Sequence, residues 1–271
     1  MNGASREALA AARERLDSLT DSTSVDAGKL ADELAAVTAL LQREVSLRRV
    51  LTDPSQAGEA KAELAGRLLS GQVGGETVDL VSGMVRSRWS QSRDLVDSVE
   101  ELADIADLTA AQRAGNLDDV EDELFRFGRI VSSDKDLRAA LTDRSASDTA
   151  KSQLLRSLLG GRTRPTTERL VTRLVIQPRG RSLEAGLESL SKLAAERRNR
   201  MVAVVTSAVP LSDQQKQRLG AVLAKIYGRP MHLNLDVDPE VLGGIAVRVG
   251  DEIIDGTIAE RLAEANRRMG G

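Results

Sequence analysis

A chain of 271 residues, 41% apolar and 29% charged, is long enough for two or three domains with packed cores. It has no cysteine, one histidine and a net charge of −3. That excludes disulfides, thiolate metal sites and thiol catalysis, and it argues against broad nucleic-acid binding, which needs a basic excess.

The first 200 residues read as helices. Trp89, Phe125, Phe127 and Tyr227 are the only aromatics, so the cores must be Leu, Val, Ile and Ala, a helix-favouring mixture. The opening stretch, 1–16, is Ala-rich, with Arg6, Arg13 and Arg15 among Glu7 and Glu14, and lacks the apolar centre of a signal peptide. No apolar run approaches the roughly 18 residues of a membrane span. The expectation is a soluble chain of a reducing compartment. Leu30, Leu34, Val37, Leu41 and Val45 form one amphipathic stripe. Leu95, Val99, Leu102 and Ala106 form another, as do Leu117, Val120, Leu124, Phe127 and Val131, then Leu183, Leu187, Leu190 and Ala194. Pro54, Gly71, Gly74-Gly75, Gly160-Gly161, Pro165 and Pro178 mark turns.

A shift of 90 residues reveals a repeat: 47–69 (LRRVLTDPSQAGEAKAELAGRLL) and 137–159 (LRAALTDRSASDTAKSQLLRSLL) share eleven of 23 positions, including Leu-Thr-Asp and the pair Lys61/Lys151. That period is too long for a solenoid unit and is the size of a small domain. The fold expected is mostly α: two tandem six-helix-type bundles, 1–107 and 108–200, joined through a long helix from about Ser92 to Gly115. A small α/β domain, 201–271, follows.

In that last domain, 201–206 is β-branched. Ser212 with Gln215 is a capping box opening a helix that carries Leu219, Val222, Leu223 and Ile226. Met231, Leu233, Leu235 and Val237 alternate with polar residues, as in a half-buried strand. Ile245, Val247 and Val249 alternate again, Gly250-Asp251 fits a tight hairpin, and Thr257 with Glu260 starts a final helix.

Catalytic chemistry is not visible. The glycine pairs at 74–75, 160–161 and 243–244 lack the Lys-Ser/Thr of a phosphate loop. Asp251 and Asp255 could be imagined as an acid–base pair, but Gly250-Asp251 and Asp255-Gly256 carry turn chemistry. No cofactor, metal or catalytic residue is assigned. Trp89 reads as a core or rim residue, with a partner anchor as the alternative. Arg197, Arg198 and Arg200 read as cations offsetting a helix dipole. Charge is uneven: 94–123 holds eleven acidic residues and one basic, Arg113, whereas 162–181 holds six arginines and Glu168. The arginine block, through Arg169 and Arg173, is a candidate face for an acidic partner helix.

The segment 238–262 (DPEVLGGIAVRVGDEIIDGTIAERL) resembles the signature of ATP synthase delta subunits, called OSCP in mitochondria. Its Gly243-Gly244, Gly250-Asp251, Asp255-Gly256-Thr257 and Arg261-Leu262 match the family pattern at the family's spacing. Residues 202–219 and 137–201 are similar to the family as well. The resemblance implies a six-helix bundle followed by a smaller domain, without enzymatic activity. It implies a peripheral-stalk (stator) subunit of the proton-translocating ATP synthase, held at the cytoplasmic face of the cell membrane only through its complex. The bundle grips the N-terminal helices of the alpha subunits, and the C-terminal domain, with Ile258 on its last helix, meets the distal C-terminal end of the b subunit. The family has one bundle, so the first copy here reads as added, and the alpha contact falls on either copy or both. The competing reading is a helical nucleic-acid or transcription-factor module, against which the charge and the scarce aromatics argue.

Overall fold

The structure, a computed structural model, describes residues 2–21, 24–198, 201–228, 231–238, 243–249 and 252–255. Its helical part runs α1 (Gly3–Asp21), α2 (Ala27–Arg43), α3 (Val45–Thr52), α4 (Gly58–Leu69), α5 (Gly75–Arg86) and α6 (Ser92–Arg113). It continues through α7 (Leu117–Ser133), α8 (Lys135–Thr142), α9 (Asp148–Leu159), α10 (Pro165–Ile176) and α11 (Leu183–Arg198).

The repeat is structural as well as textual, because α2–α5 recur as α7–α10 at the 90-residue offset. The recurrence extends to single hydrogen bonds. The first amides of a helix lack intrahelical acceptors, and the caps of α5 and α10, Gly74 and Arg164, supply no side-chain acceptor. A glutamate from a neighbouring helix fills the role in both copies. Glu33 of α2 accepts from the Gly74 amide at 3.0 Å and from the Thr77 hydroxyl. Glu123 of α7 accepts from the Arg164 amide at 2.9 Å and from the Thr167 hydroxyl. Asp53 likewise holds the amide and hydroxyl of Ser55, and Asp143 those of Ser145.

The joining helix does more than connect. By position α6 is the sixth helix of the first copy and also the first of the second, so the boundary expected at 107/108 falls inside it. Leu95, Val99, Leu102 and Ala106 are fully buried, and so are Ser98, Ala103, Asp107 and Leu108 on other faces. A helix covered on nearly all sides belongs to the middle of a core, not to a linker. One apolar cluster accordingly runs from Ala8 to Ala194 through both copies. The expected stripes of α7 and α11 are buried throughout. The α2 stripe stops short: the helix ends at Arg43, and Val45, opening α3, is 42% exposed.

The second unit follows Arg197. Strand β1 (Met201–Ser207), helix α12 (Asp213–Tyr227) and strand β2 (Met231–Val237) form a crossover with β1 and β2 parallel. Strands β3 (Ile245–Val249) and β4 (Glu252–Asp255) add antiparallel partners, giving the order β2-β1-β3-β4. The Ser212–Gln215 capping box is formed, and Gly228 closes α12 in the left-handed conformation. The core pairs Ala203 and Val205 of β1 with Val247 and Val249 of β3 and Leu223 of α12. The inward stripe of α12 is Leu223, buried, with Leu219 and Tyr227, half-buried, packed beside it. Val222 and Ile226, expected beside it, are 48% and 61% exposed.

Candidate functional site

Asp97, Glu100, Asp104 and Asp107 step by 3, 4 and 3 along α6 and therefore share one face. Arg169 and Arg173, four apart on α10, share a face too. The two faces meet. Asp107, wholly buried, accepts from Arg169 Nε at 3.0 Å and Nη2 at 2.6 Å, and from Arg173 Nη2 at 2.8 Å. Arg173 Nη1 reaches Asp104 at 2.8 Å. The α10–α11 connector supplies the rest. Arg179 pairs with Asp97 at 2.7 Å and with Glu100, and Arg181 reaches Glu100 at 2.7 Å. Four carboxylates thus meet four guanidinium groups in a charge-balanced seam.

This corrects the expectation for Arg169 and Arg173. The acidic helix they face is the chain's own α6, and Arg173 keeps only 12% of its side chain exposed. Arg164 is also taken, by Asp119 at 2.5 Å, so five of the six arginines in the basic block are neutralised within the fold. Arg197, expected only to balance a helix dipole, is buried and ties three helices together. It bonds Asp17 of α1 at 2.6 Å and Gln112 of α6 at 2.8 Å. Trp89 is a core residue, its indole donating to the Met84 carbonyl at 2.8 Å. The signal that reveals the seam in sequence is the 3-4-3 spacing of the acids, which charge counting alone passes over.

The seam sets a pH dependence. Burial pushes the Asp104 carboxyl up to about 6 from 3.8, because Arg173, divided between two carboxylates, offsets only part of the desolvation. The folded chain therefore holds this proton more tightly than the unfolded chain. The resulting stabilisation is complete below the unfolded value and is lost as pH rises through about 6. Asp104→Asn should remove this slope, worth about 2 kcal/mol between pH 3.8 and pH 6.5, from urea-unfolding free energies measured across that range. An unchanged slope would contradict the assignment.

Outward-facing features lie elsewhere. Between α7 and α11 runs an open groove of about 510 Å³, lined by Leu124, Phe125, Arg129, Leu187, Glu188 and Ser191. Phe125 is 57% exposed there. The helices approach closely at Gly128, where a Cβ would lie 3.9 Å from that of Leu187. At the corresponding place in the first copy α2 packs along α6, with Ala35 and buried Thr38 standing where Phe125 and Gly128 stand in the second.

Of the signature residues, Gly243 and Gly244 precede β3 with φ of 72° and 89°, values that side chains resist, which gives the glycine pair a backbone reason. Pairing of Val249 with Glu252 leaves two residues between β3 and β4, as a tight hairpin requires. Asp255 ends β4. Gly250, Asp251, Gly256, Thr257, Ile258, Arg261 and Leu262 lie outside the described residues, and with them the expected last helix. On β4, Ile253 is 66% exposed.

Comparison with known proteins completes the picture. The family model described as ATP synthase delta (OSCP) subunit matches residues 105–269, which begin within α6 and span the second copy and the α/β unit. ATP synthase subunit delta of Streptomyces griseus is 82% identical over the whole of both chains. That of Streptomyces coelicolor is 80% identical over 99% of this chain and 98% of its own. That of Thermobifida fusca is 49% identical, again over the whole of both. The first copy is thus present in these relatives too. A chain of the Toxoplasma gondii mitochondrial ATP synthase hexamer aligns with 62% of this chain and 97% of its own at 21% identity, with a TM-score of 0.26, too low to bear on the arrangement. With the family model covering the second copy and the α/β unit, and relatives matching from end to end, the chain belongs to the ATP synthase delta (OSCP) subunit family.

Proposed function

We propose that the chain is the peripheral-stalk subunit of a proton-translocating ATP synthase, a structural link that couples the alpha/beta catalytic head to the b subunit and resists rotation of the head. The observation that carries this reading is the family match over 105–269. Among the described residues no helix is long and apolar enough to cross a membrane, so attachment at the cytoplasmic face of the cell membrane would run through the complex. A stator joint must transmit torque without chemistry, and a helical core cross-tied by the buried seam is suited to that.

The alpha contact is assigned to the second copy. An amphipathic N-terminal helix of an alpha subunit fits a groove with both apolar and charged lining, and the α7–α11 groove is lined by Leu124, Phe125 and Leu187 together with Arg129 and Glu188. The b contact is assigned to the C-terminal unit, including Ile258 and the residues after it. Duplication of the bundle adds a second weak grip, which effective concentration would strengthen.

Both assignments are separable by affinity purification of detergent-solubilised complexes. Phe125→Asp should lower recovery of the alpha subunits roughly tenfold, the cost of one lost buried anchor of about 1.4 kcal/mol or more, and leave b recovery unchanged. Deleting 257–271 should do the reverse, while the helical copies stay folded. Full recovery of b by the truncated chain would refute the second assignment, and full recovery of alpha by Phe125→Asp the first.

A further inference from the structure

The two copies differ at one place in a way the stator role does not use. In the first, the α5–α6 connector sends Trp89, 7% exposed, into the core over Met84. Met84's counterpart 90 residues on is Leu174, and in the second copy Leu174 lines an open cavity of about 590 Å³. The connector there carries Arg179 at the corresponding position. With φ of 47° it turns away to Asp97 and Glu100 of α6, and no aromatic takes the space. The cavity lies within the size range of small-molecule sites, roughly 300–1,000 Å³.

Its walls are cationic. Lys135, Arg138, Arg144, Lys151 and Arg181 line it with a single carboxylate, Glu184. Arg181 is engaged by Glu100, and Arg138 shares Glu184 at 3.5 Å. Lys151 lines the cavity from α9. It is 9% exposed, yet its ammonium enters none of the ion pairs or hydrogen bonds among the described residues and acts on Asp143 only through space. Asp143 is itself occupied by the amide and hydroxyl of Ser145. An anion in the cavity would give the Lys151 ammonium a partner. Ala139, Leu141, Val175 and Pro178 give the same cavity an apolar side.

We infer that this cavity is a binding site for a small phosphate-bearing anion, with Lys151 at its base and Lys135, Arg138 and Arg144 at its mouth. The shared chemistry is a pair of adjacent phosphates, either free as pyrophosphate or carried by a nucleoside diphosphate whose base lies on the apolar wall. The site uses side-chain cations and owes nothing to a glycine-rich phosphate loop. It stands independently of the alpha and b assignments.

The test is calorimetric titration of the full-length chain with inorganic pyrophosphate and, separately, with ADP. Binding of at least one is expected, weakening with added salt. Lys151→Met keeps the volume and removes the charge, and it should weaken binding roughly tenfold or more, the loss of one charge-assisted bond. Lys61→Met, its counterpart in the tryptophan-filled copy, should leave binding unchanged. Arg144→Ala, exposed and outside the ion pairs, guards against a folding defect in Lys151→Met and should weaken binding as well. ADP binding more tightly than pyrophosphate would name the nucleotide as ligand, and the reverse order would name the free anion. Failure of both to bind at millimolar concentration, or equal effects of Lys61→Met and Lys151→Met, would overturn the inference.

Discussion

Replacing Arg173 by methionine should destabilise the helical unit by about 3–5 kcal/mol at pH 7, the cost of stranding buried charge. Arg173 bridges Asp104 and Asp107 at 2.8 Å each, and those side chains are 10% and 0% exposed. Without it Asp107 keeps Arg169, but Asp104 keeps no ion-pair partner among the described residues. The penalty should shrink as pH falls, because losing Arg173 removes what holds the Asp104 carboxyl down, so the stranded acid takes a proton at a pH above the intact seam's value of about 6. Arg164→Met, by contrast, removes a pair in which both side chains are half exposed. It should cost no more than roughly 1 kcal/mol, as surface pairs do. Urea unfolding of the two variants at pH 5 and pH 7 checks the contrast. Equal costs would mean that the seam contributes nothing beyond an ordinary surface pair.

That seam also marks where sequence reading runs out. Local periodicity found most elements, because a stripe such as Leu117–Val120–Leu124–Phe127–Val131 needs only its own helix to be recognised. The repeat was legible because two copies that solve one packing problem keep the same residues, down to Asp53 with Ser55 and Asp143 with Ser145. The acid and arginine blocks were both visible too. What sequence could not supply was their meeting across 62 to 82 residues of chain, so the arginines looked like a surface waiting for a partner. The same limit explains α12. Leu219, Val222, Leu223 and Ile226 all suit an apolar face, and only the sheet beneath decides that Leu219, Leu223 and Tyr227 are the ones that pack against it. It explains α2 as well, where a stripe continuing to Val45 is equally consistent with one helix or two. The α7–α11 groove had no local signature. Its Phe125 and Gly128 stand where the first copy has Ala35 and Thr38, a difference that only the folded helices turn into a groove.

Truncating Leu102 to alanine is expected to weaken both copies together. Leu102 is fully buried near the middle of α6, so the substitution should cost about 2–5 kcal/mol through lost contacts and the cavity left behind. The informative readout is where that loss appears. Were the copies independent domains meeting at residue 107, Leu102 would belong to the first alone, and the second would keep its stability. A shared α6 makes the opposite demand. The helix carries the apolar stripe that closes the first copy and the carboxylates that anchor α10 and α11 in the second, so neither copy can open fully while α6 stays in place. Native-state hydrogen exchange separates the cases. Amides of α4, in the first copy, and of α9, in the second, should lose protection by the same factor in Leu102→Ala. A loss confined to α4 would restore the picture of two bundles in tandem. An equal loss would mean that duplication produced one longer, stiffer body, with α6 as the element through which load applied to one copy reaches the other.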